Sequence, residues 1–116
     1  MPGRKYRGLT LRVMGKRSPA MGPGKAELIE RIAQTGSISA AARAMGMSYR
    51  RAWQLVKALN RDFQKPVVLT AIGGQRGGGA RVTPFGSSLV RMFRTMEEKA
   101  CDAIARDLRR FERYIP

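Results

Sequence analysis

The stretch that decides the fold is Ser37–Phe63, SISAAARAMGMSYRRAWQLVKALNRDF. An alanine-rich run follows Ser37 and Ser39, and either serine can cap a helix with its side-chain oxygen. Gly46 can end that helix in a positive-φ conformation, and Ser48 can cap the next one. Two helices joined by so short a turn predict a helix-turn-helix over residues 37–63, whose second helix enters the major groove of DNA.

The second predicted helix has a cationic face opposite an apolar face. At about 100° per residue, one stripe roughly 60° wide holds Arg50, Gln54, Lys57 and Arg61. The far side is apolar and holds Ala52, Leu55, Val56, Leu59 and Phe63, with Tyr49 and Trp53 on its flank. The alternative is a solvated basic face on an ordinary core helix. The absence of any acid between Arg31 and Arg61 argues against it, because ordinary exposed faces mix both signs.

These side chains match the chemistry of base recognition. Arginine pairs with guanine and glutamine with adenine in the major groove. We therefore expect Arg50, Arg51 and Gln54 to contact bases, with Tyr49 near a thymine methyl or a phosphate. The DNA backbone contacts are expected from Lys57, Arg61, Arg76 and Arg81.

The length, hydrophobic content and net charge of the chain limit the kinds of partner that it can bind. The chain has 116 residues, 43% of them hydrophobic, and a net charge of +15 from 23 basic and 8 acidic residues. This fits one globular domain whose likeliest partner is nucleic acid, with an anionic membrane surface second. No apolar run approaches the ~18 residues of a membrane span, and no signal peptide is visible, so we expect no membrane association and a cytoplasmic, nucleoid-associated location.

The same composition argues against catalysis and metal binding. The chain has no histidine, and Cys101 is its single cysteine. An internal disulfide, a cysteine zinc cluster and a histidine base are therefore excluded. We expect no catalytic residue, no metal and no cofactor.

The N-terminal segment is basic. Residues 1–8 are expected to form a flexible basic arm that either contacts DNA phosphate or serves as a solubilising tail. Alternation from Leu9 to Met14 predicts a short strand, and residues 15–24 a loop. A helix is then expected from Pro23 or Gly24 to about Thr35, supporting the helix-turn-helix.

Residues 67–83 are expected to form a hairpin wing. An apolar β-branched run is followed by a glycine-rich turn and a return strand, with Gln75 and Arg76 at the tip and Arg81 on the return strand. The alternative is a hairpin turn without DNA contact. A phosphate-binding P-loop is rejected, because its Gly-Lys-Ser/Thr ending is absent. Gly73-Gly74-Gln75 also spells the tripeptide of class I release factors, which keeps peptidyl-tRNA hydrolysis as a distant alternative.

Residues 84–112 predict one long helix that begins at Thr83-Pro84. A helix on the order of 40 Å long exceeds what so small a core can cover. Its apolar stripe is therefore expected to pack against a second copy, although a monomer with the helix folded back is the alternative. The expected dimerisation residues are Leu89, Phe93, Met96, Ala100, Ile104 and Leu108.

The chain resembles the DNA-binding domain of the ModE family of molybdate-responsive regulators, and more distantly the LysR-type winged helix. The matching residues are Gly36-Ser37-Ile38-Ser39, Ser48-Tyr49 with Ala52-Trp53, the glycines of 73–79, and Thr83 with Gly86. The resemblance implies an α+β, mainly α, winged helix-turn-helix that dimerises through an N-terminal strand and the long C-terminal helix. It also implies that Ser48, Tyr49, Arg50 and Arg51 open the recognition helix and face the DNA. We expect Ser37 and Gln75 to contact DNA as well.

ModE proteins normally continue into a C-terminal molybdate-binding region, whereas this sequence stops at Pro116. The sequence is therefore either a stand-alone regulator or an excised domain, and we expect the stand-alone form, which binds no molybdate itself. The expected function is sequence-specific double-stranded DNA binding by a homodimer that regulates transcription. The alternative is an architectural protein that coats DNA without sequence preference.

Overall fold

The computed structural model describes residues 8–71 and 79–116. The elements are β1 (Val13–Met14), β2 (Pro19–Met21), α1 (Pro23–Thr35), α2 (Ile38–Met45), α3 (Tyr49–Asp62), β3 (Val68–Thr70), β4 (Ala80–Val82), α4 (Pro84–Ala103) and α5 (Ala105–Glu112). Strands β1 and β2 form one antiparallel pair, and β3 and β4 form another. The predicted α+β, mainly α, winged helix-turn-helix is confirmed.

The first two helices begin and end at residues suited to those positions. Pro23 opens α1, where its missing N–H has no helical partner to lose, and Gly36 ends it at φ 70°. The Ser37 Oγ then caps α2 by accepting the Ala40 N–H at 3.0 Å, and Gly46 ends α2, also at φ 70°. Because this left-handed conformation strains other residues, the two glycines make the sharp turns between α1, α2 and α3 possible.

Small side chains bring the three helices together. Ala26, Ala41, Ala42 and Ala52 are each at most 2% exposed. Backbones can approach closely where such alanines meet. The larger core side chains fill the space around them and include Leu28, Ile29, Ile32, Val56, Leu59 and Phe93. This core fixes the angle at which α3 is presented to solvent.

Val67 is the junction between the wing and the long helix α4. Its carbonyl accepts the Thr83 backbone N–H at 2.9 Å, while Thr83 Oγ1 donates to the Pro66 carbonyl at 2.7 Å. Thr83 Oγ1 also caps α4 by accepting the Gly86 N–H at 2.9 Å. One threonine therefore ties the wing to the start of α4.

An ion-pair network joins α1 to α4. Arg94 donates through Nη2 and Nε to the two carboxylate oxygens of Glu30, at 2.8 and 3.1 Å. Its Nη1 donates to Glu97 Oε1 at 2.8 Å. The hydrogen bonds to Glu30 raise the pKa of Arg94, so its charge is fixed at every physiological pH. This network keeps α4 in position against the helix-turn-helix.

The N-terminal strand prediction was partly wrong. The strand expected from Leu9 to Met14 is confined to Val13–Met14, and its partner Pro19–Met21 lies in the segment predicted as a loop. Ala20 and Met21 are buried, at 6% and 3% exposure. Tertiary burial of these two side chains outweighs the breaker residues around them.

The long C-terminal helix was predicted to be continuous and is not. It is interrupted at Ile104, where φ is −107° and ψ 12°, although the Ile104 N–H still reaches the Ala100 carbonyl at 3.2 Å. No glycine or proline causes this break. After it, Leu108 lies against the backbone of Gly8, where an added Cβ would come within 2.5 Å of Leu108 Cδ2. A tertiary contact therefore accompanies the break in the helix at Ile104.

Gly86 should tolerate no side chain. A Cβ there would lie 2.5 Å from the Val67 carbonyl oxygen and 3.0 Å from Val82 Cγ1. We expect Gly86→Ala to lower the free energy of unfolding by about 1–3 kcal/mol, measured by chemical denaturation, because the buried junction must move apart. The matched control is Gly24→Ala, where nothing lies within 4 Å. Equal stability of the two variants would contradict the tight junction.

Candidate nucleic-acid interface

Helix α3 presents a polar face to solvent and a buried face to the core. Ser48 Oγ caps it by accepting the Arg51 N–H at 3.1 Å. Ala52, Val56 and Leu59 are at most 1% exposed. The side chains on the opposite stripe are all exposed, and they are Arg50, Gln54, Lys57 and Arg61. This places the four predicted stripe residues together on one accessible face.

The two edges of this face differ. At about 100° per residue, Arg51 and Leu55 fall on one edge and Trp53 and Asn60 on the other. Arg51 and Leu55 line a cleft beside the start of α1, whereas Asn60 bonds to the wing strand. Arg51, predicted as a base-contacting residue, is therefore turned aside from the Arg50 stripe towards the cleft.

Tyr49 and Trp53 place aromatic surface next to the cationic stripe. Tyr49 is 55% exposed and Trp53 36% exposed. Large exposed aromatic side chains beside arginines are enriched in binding surfaces, where they supply contact area at little entropic cost. Their position fits the expected contact of Tyr49 with a thymine methyl or a phosphate.

Ser37 and Ser48 have structural roles as helix caps. Each side-chain oxygen accepts a backbone N–H, from Ala40 and Arg51 respectively. Capping uses a lone pair and leaves the hydroxyl hydrogen able to donate. Each serine hydroxyl can therefore still donate one hydrogen bond to a phosphate oxygen.

Arg61 ends the stripe in an ion pair. Its Nε donates to Asp62 Oδ1 at 2.9 Å and its Nη2 to Asp62 Oδ2 at 3.4 Å. This hydrogen bonding lowers the pKa of Asp62 and raises that of Arg61, so both stay charged. The cationic face is thus strongest at the N-terminal and middle turns of α3.

Asn60 holds the wing against α3 and was not predicted from sequence. Its Oδ1 accepts the backbone N–H groups of Val67 and Val68 at 2.8 and 3.1 Å, and its Nδ2 donates to the Val68 carbonyl at 2.9 Å. Asparagine in a helix gave no usable signal, because its partners lie seven and eight residues away across the Pro66 turn. These three hydrogen bonds of Asn60 set the distance between α3, which carries the cationic stripe, and the wing.

The wing strands position one of the predicted contact residues. Arg81 on β4 is exposed and pairs in register with Leu69 on β3. The predicted tip residues Gln75 and Arg76, the release-factor-like tripeptide, and most of the basic arm of residues 1–8 lie outside the described residues.

The family model for the bacterial regulatory helix-turn-helix protein of the lysR family matches residues 24–87, more than half of the chain. That match begins in α1, includes the whole helix-turn-helix and wing, and ends in the first turn of α4. The chain belongs to the lysR family of bacterial regulatory helix-turn-helix proteins.

Relatives of this lysR-family chain include molybdenum proteins. It is 42% identical over 113 residues to the molybdenum-pterin-binding protein MopB of Rhodobacter capsulatus, matching 97% of this chain and 39% of MopB. It is 34% identical over 88 residues to the DNA-binding transcriptional dual regulator ModE of Escherichia coli, matching 73% of this chain and 34% of ModE. The chain thus spans little more than a third of these relatives, and its resemblance to the ModE family is confirmed.

A solved structure supports the same lysR-type fold. The full-length LysR-type regulator LysG of Corynebacterium glutamicum, solved with bound effector arginine, superposes with a TM-score of 0.55 at 26% identity. The match covers 80% of this chain and 30% of LysG.

The predicted dimerisation residues of this lysR-family chain do not share one surface. Phe93 is 2% exposed and packs in the protomer's own core, so it cannot present a face to a partner. Leu89 also packs against that core. Met96 is 43% exposed, and Met92, which was not predicted, is 62% exposed. The accessible apolar stripe of α4 is therefore rotated from the predicted one towards Met92 and Met96.

Within residues 8–71 and 79–116, no helix is long and apolar enough to cross a membrane. The same residues contain no group of three or more cysteine, aspartate or glutamate side chains that could hold a metal ion.

Replacing the Asn60 clamp should destabilise the chain. In Asn60→Asp the carboxylate can still accept hydrogen bonds from the Val67 and Val68 N–H groups. It cannot donate to the Val68 carbonyl, and its second oxygen would repel that carbonyl oxygen. We expect a loss of about 1–3 kcal/mol in the free energy of unfolding by urea titration.

The control is Gln64→Glu, the same change from amide to carboxylate at an exposed position. A similar small effect in both variants would show that the Asn60 hydrogen bonds contribute little.

Proposed function

We propose that this chain is a sequence-specific transcriptional regulator that binds double-stranded DNA as a homodimer. The observation that carries the proposal is the cationic stripe of α3, which is exposed to solvent on a helix packed against the core and lies beside the wing strands. The lysR family match supports the same role. An α-helix fits the major groove of B-DNA, where side chains distinguish all four base pairs.

The proposed roles divide by position. Arg50 and Gln54 lie at the centre of the exposed stripe and are proposed to contact bases, together with Arg51 and Tyr49 at its N-terminal edges. Lys57, Arg61, Arg76 and Arg81 are proposed to hold the DNA backbone, and Ser37, Ser48 and Gln75 to add hydrogen bonds. This division follows the general rule that phosphate contacts position a protein and base contacts specify the sequence.

A link to molybdenum comes from MopB and ModE, relatives that this chain matches over little more than a third of their length. We infer that these 116 residues supply DNA binding and bind no molybdate. The genes next to the bound sites would identify the process under control.

A second candidate function is architectural DNA coating, which the net charge of +15 favours. The deciding experiment is to incubate the purified protein with fragmented genomic DNA and excess competitor at physiological salt, and to sequence what it retains. Enrichment of an inverted repeat, with half-sites a whole number of helical turns apart, is expected for a dimeric regulator. Broad retention without a shared motif would replace specific regulation with the architectural function.

Arg50 should govern sequence preference. On the recovered site we expect Arg50→Ala to cost about 1–3 kcal/mol of binding free energy, because a bidentate base contact is lost, and to relax the preference at one base pair. Arg81→Ala, on the wing, is the matched control and should weaken recovered and random DNA alike. Fluorescence anisotropy titrations on both duplexes measure this. An equal loss on both duplexes for Arg50→Ala would remove its base-reading role.

The exposed methionines of α4 should mediate self-association. Met96→Glu places a charge on the stripe that also holds Met92, whereas Gln64→Glu places it at an exposed position outside α4. Sedimentation velocity is expected to show a dimer for the wild type and Gln64→Glu, and a monomer for Met96→Glu, because burying an unpaired carboxylate is costly. Unchanged association of Met96→Glu would place the dimer contact elsewhere.

A further inference from the structure

A cleft beside α3 has no role in the contacts considered so far. It has a volume of about 300 Å³ and lies between the β1–β2 hairpin, the start of α1 and the first half of α3. Three cationic side chains from three parts of the chain line it, namely Arg12, Lys25 and Arg51. No acidic side chain is among its lining residues. Three converging cations without an acid predict an anionic occupant.

Two of the three cations contact neighbouring groups in the cleft, and the two arginines have no ion-pair partner within the described part of the chain. The Arg12 side chain crosses Gly22, where an added Cβ would lie 3.4 Å from Arg12 Cγ. Lys25 Nζ donates to the Pro19 carbonyl at 2.7 Å, which leaves its other hydrogens free. Neither Arg12 nor Arg51 forms an ion pair within the described part of the chain, and Asp62, which attracts Lys25 electrostatically, is hydrogen-bonded by Arg61.

The position of the cleft relative to α3 suggests the occupant. A helix about 10–12 Å in diameter nearly fills a major groove about 12 Å wide. Whatever flanks the helix on each side therefore meets one of the two backbones that border the groove. The wing, clamped through Asn60, occupies one flank. The cleft, lined by Arg51 and Leu55, occupies the opposite flank.

We propose that this cleft binds a phosphate group of the DNA strand that borders the major groove on the side away from the wing. The proposal rests on the proposed function, since it places α3 in the groove. The Arg12 and Arg51 guanidiniums can each donate two parallel hydrogen bonds to phosphate oxygens, while Lys25 adds a point charge. In this arrangement Arg51 contacts a phosphate, which replaces the base contact proposed for it. The protein would then hold the recognition helix between two backbone contacts, the wing on one side and the cleft on the other.

The test uses duplexes in which single phosphates are replaced, one at a time, by neutral methylphosphonates. Binding of each duplex is measured for the wild type and for Arg12→Gln. We expect one phosphate per half-site at which the replacement weakens wild-type binding several-fold and weakens binding by Arg12→Gln markedly less, because Arg51 and Lys25 remain in the cleft. We also expect Arg12→Gln to reduce the slope of log K against log salt by about 1 per half-site, on specific and random DNA alike.

Arg109→Gln on α5 is the matched control, because it removes the same charge from an exposed site that does not line the cleft. It should retain the full methylphosphonate profile. A wild-type profile and salt slope in Arg12→Gln would overturn the proposal. The salt slope on random DNA tests the cleft even if the genomic experiment recovers no operator. Failure of the cleft proposal can therefore be distinguished from failure of the proposed sequence-specific function.

A second arm separates DNA phosphate from free phosphate. Inorganic phosphate replaces chloride at constant ionic strength during the binding measurement. If the cleft binds the DNA backbone, free phosphate competes for it and should weaken DNA binding by the wild type at least as much as binding by Arg12→Gln. A strengthening of wild-type DNA binding by phosphate that disappears in Arg12→Gln would assign the cleft to a free anion and overturn the backbone assignment.

Discussion

The packing around Val67 is the constraint on which the rest of this structure depends. Its backbone N–H bonds to Asn60 on α3, and its carbonyl accepts from Thr83 before α4. Its side chain is fully buried, and Gly86 must lack a side chain to lie against it. The recognition helix, the wing and the long helix therefore share one fixed point. A rigid interface of this kind is needed when base edges must be met with sub-ångström accuracy.

The acidic residues of this protein are unevenly distributed along the chain. Five of the 8 acidic residues lie on α4 and α5, and they are Glu97, Glu98, Asp102, Asp107 and Glu112. None lies between Arg31 and Arg61. Arg94 bonds to Glu97 on its own helix and to Glu30 on α1, and the pair with Glu30 fastens α4 to α1. The acid on α3 is Asp62, which pairs with Arg61 at the C-terminal end of the helix, so the earlier turns of α3 carry cations without an acid.

Two kinds of contact surface lie on different helices. The surface around α3 offers arginine, lysine and an amide, which suit phosphates and base edges. The outer face of α4 offers Met92 and Met96, which suit another apolar surface. Because Arg94 lies on the same helix as the methionines and bonds to α1, the angle between two recognition helices in the proposed dimer would follow from the packing inside each protomer.

Local sequence determined where helices start and stop and which face of α3 is polar. Ser37, Gly46, Ser48 and Thr83 act through neighbours within four residues, so a pattern along the chain is enough to identify them. The 3.6-residue period of a helix was likewise enough to identify the exposed stripe of Arg50, Gln54, Lys57 and Arg61. The mainly α, winged helix-turn-helix fold could therefore be predicted, together with the central part of its candidate DNA surface.

Tertiary structure alone decided the contacts that connect distant segments. Burial of Ala20 and Met21 made a strand where breakers predicted a loop, and the helical conformation is interrupted at Ile104 without a breaker residue. The rotation of the apolar stripe away from Phe93, the Asn60 clamp and the cleft of Arg12, Lys25 and Arg51 belong to the same class. Each depends on which side chains the core has already buried, and that is a property of the packed chain and not of any local pattern in it.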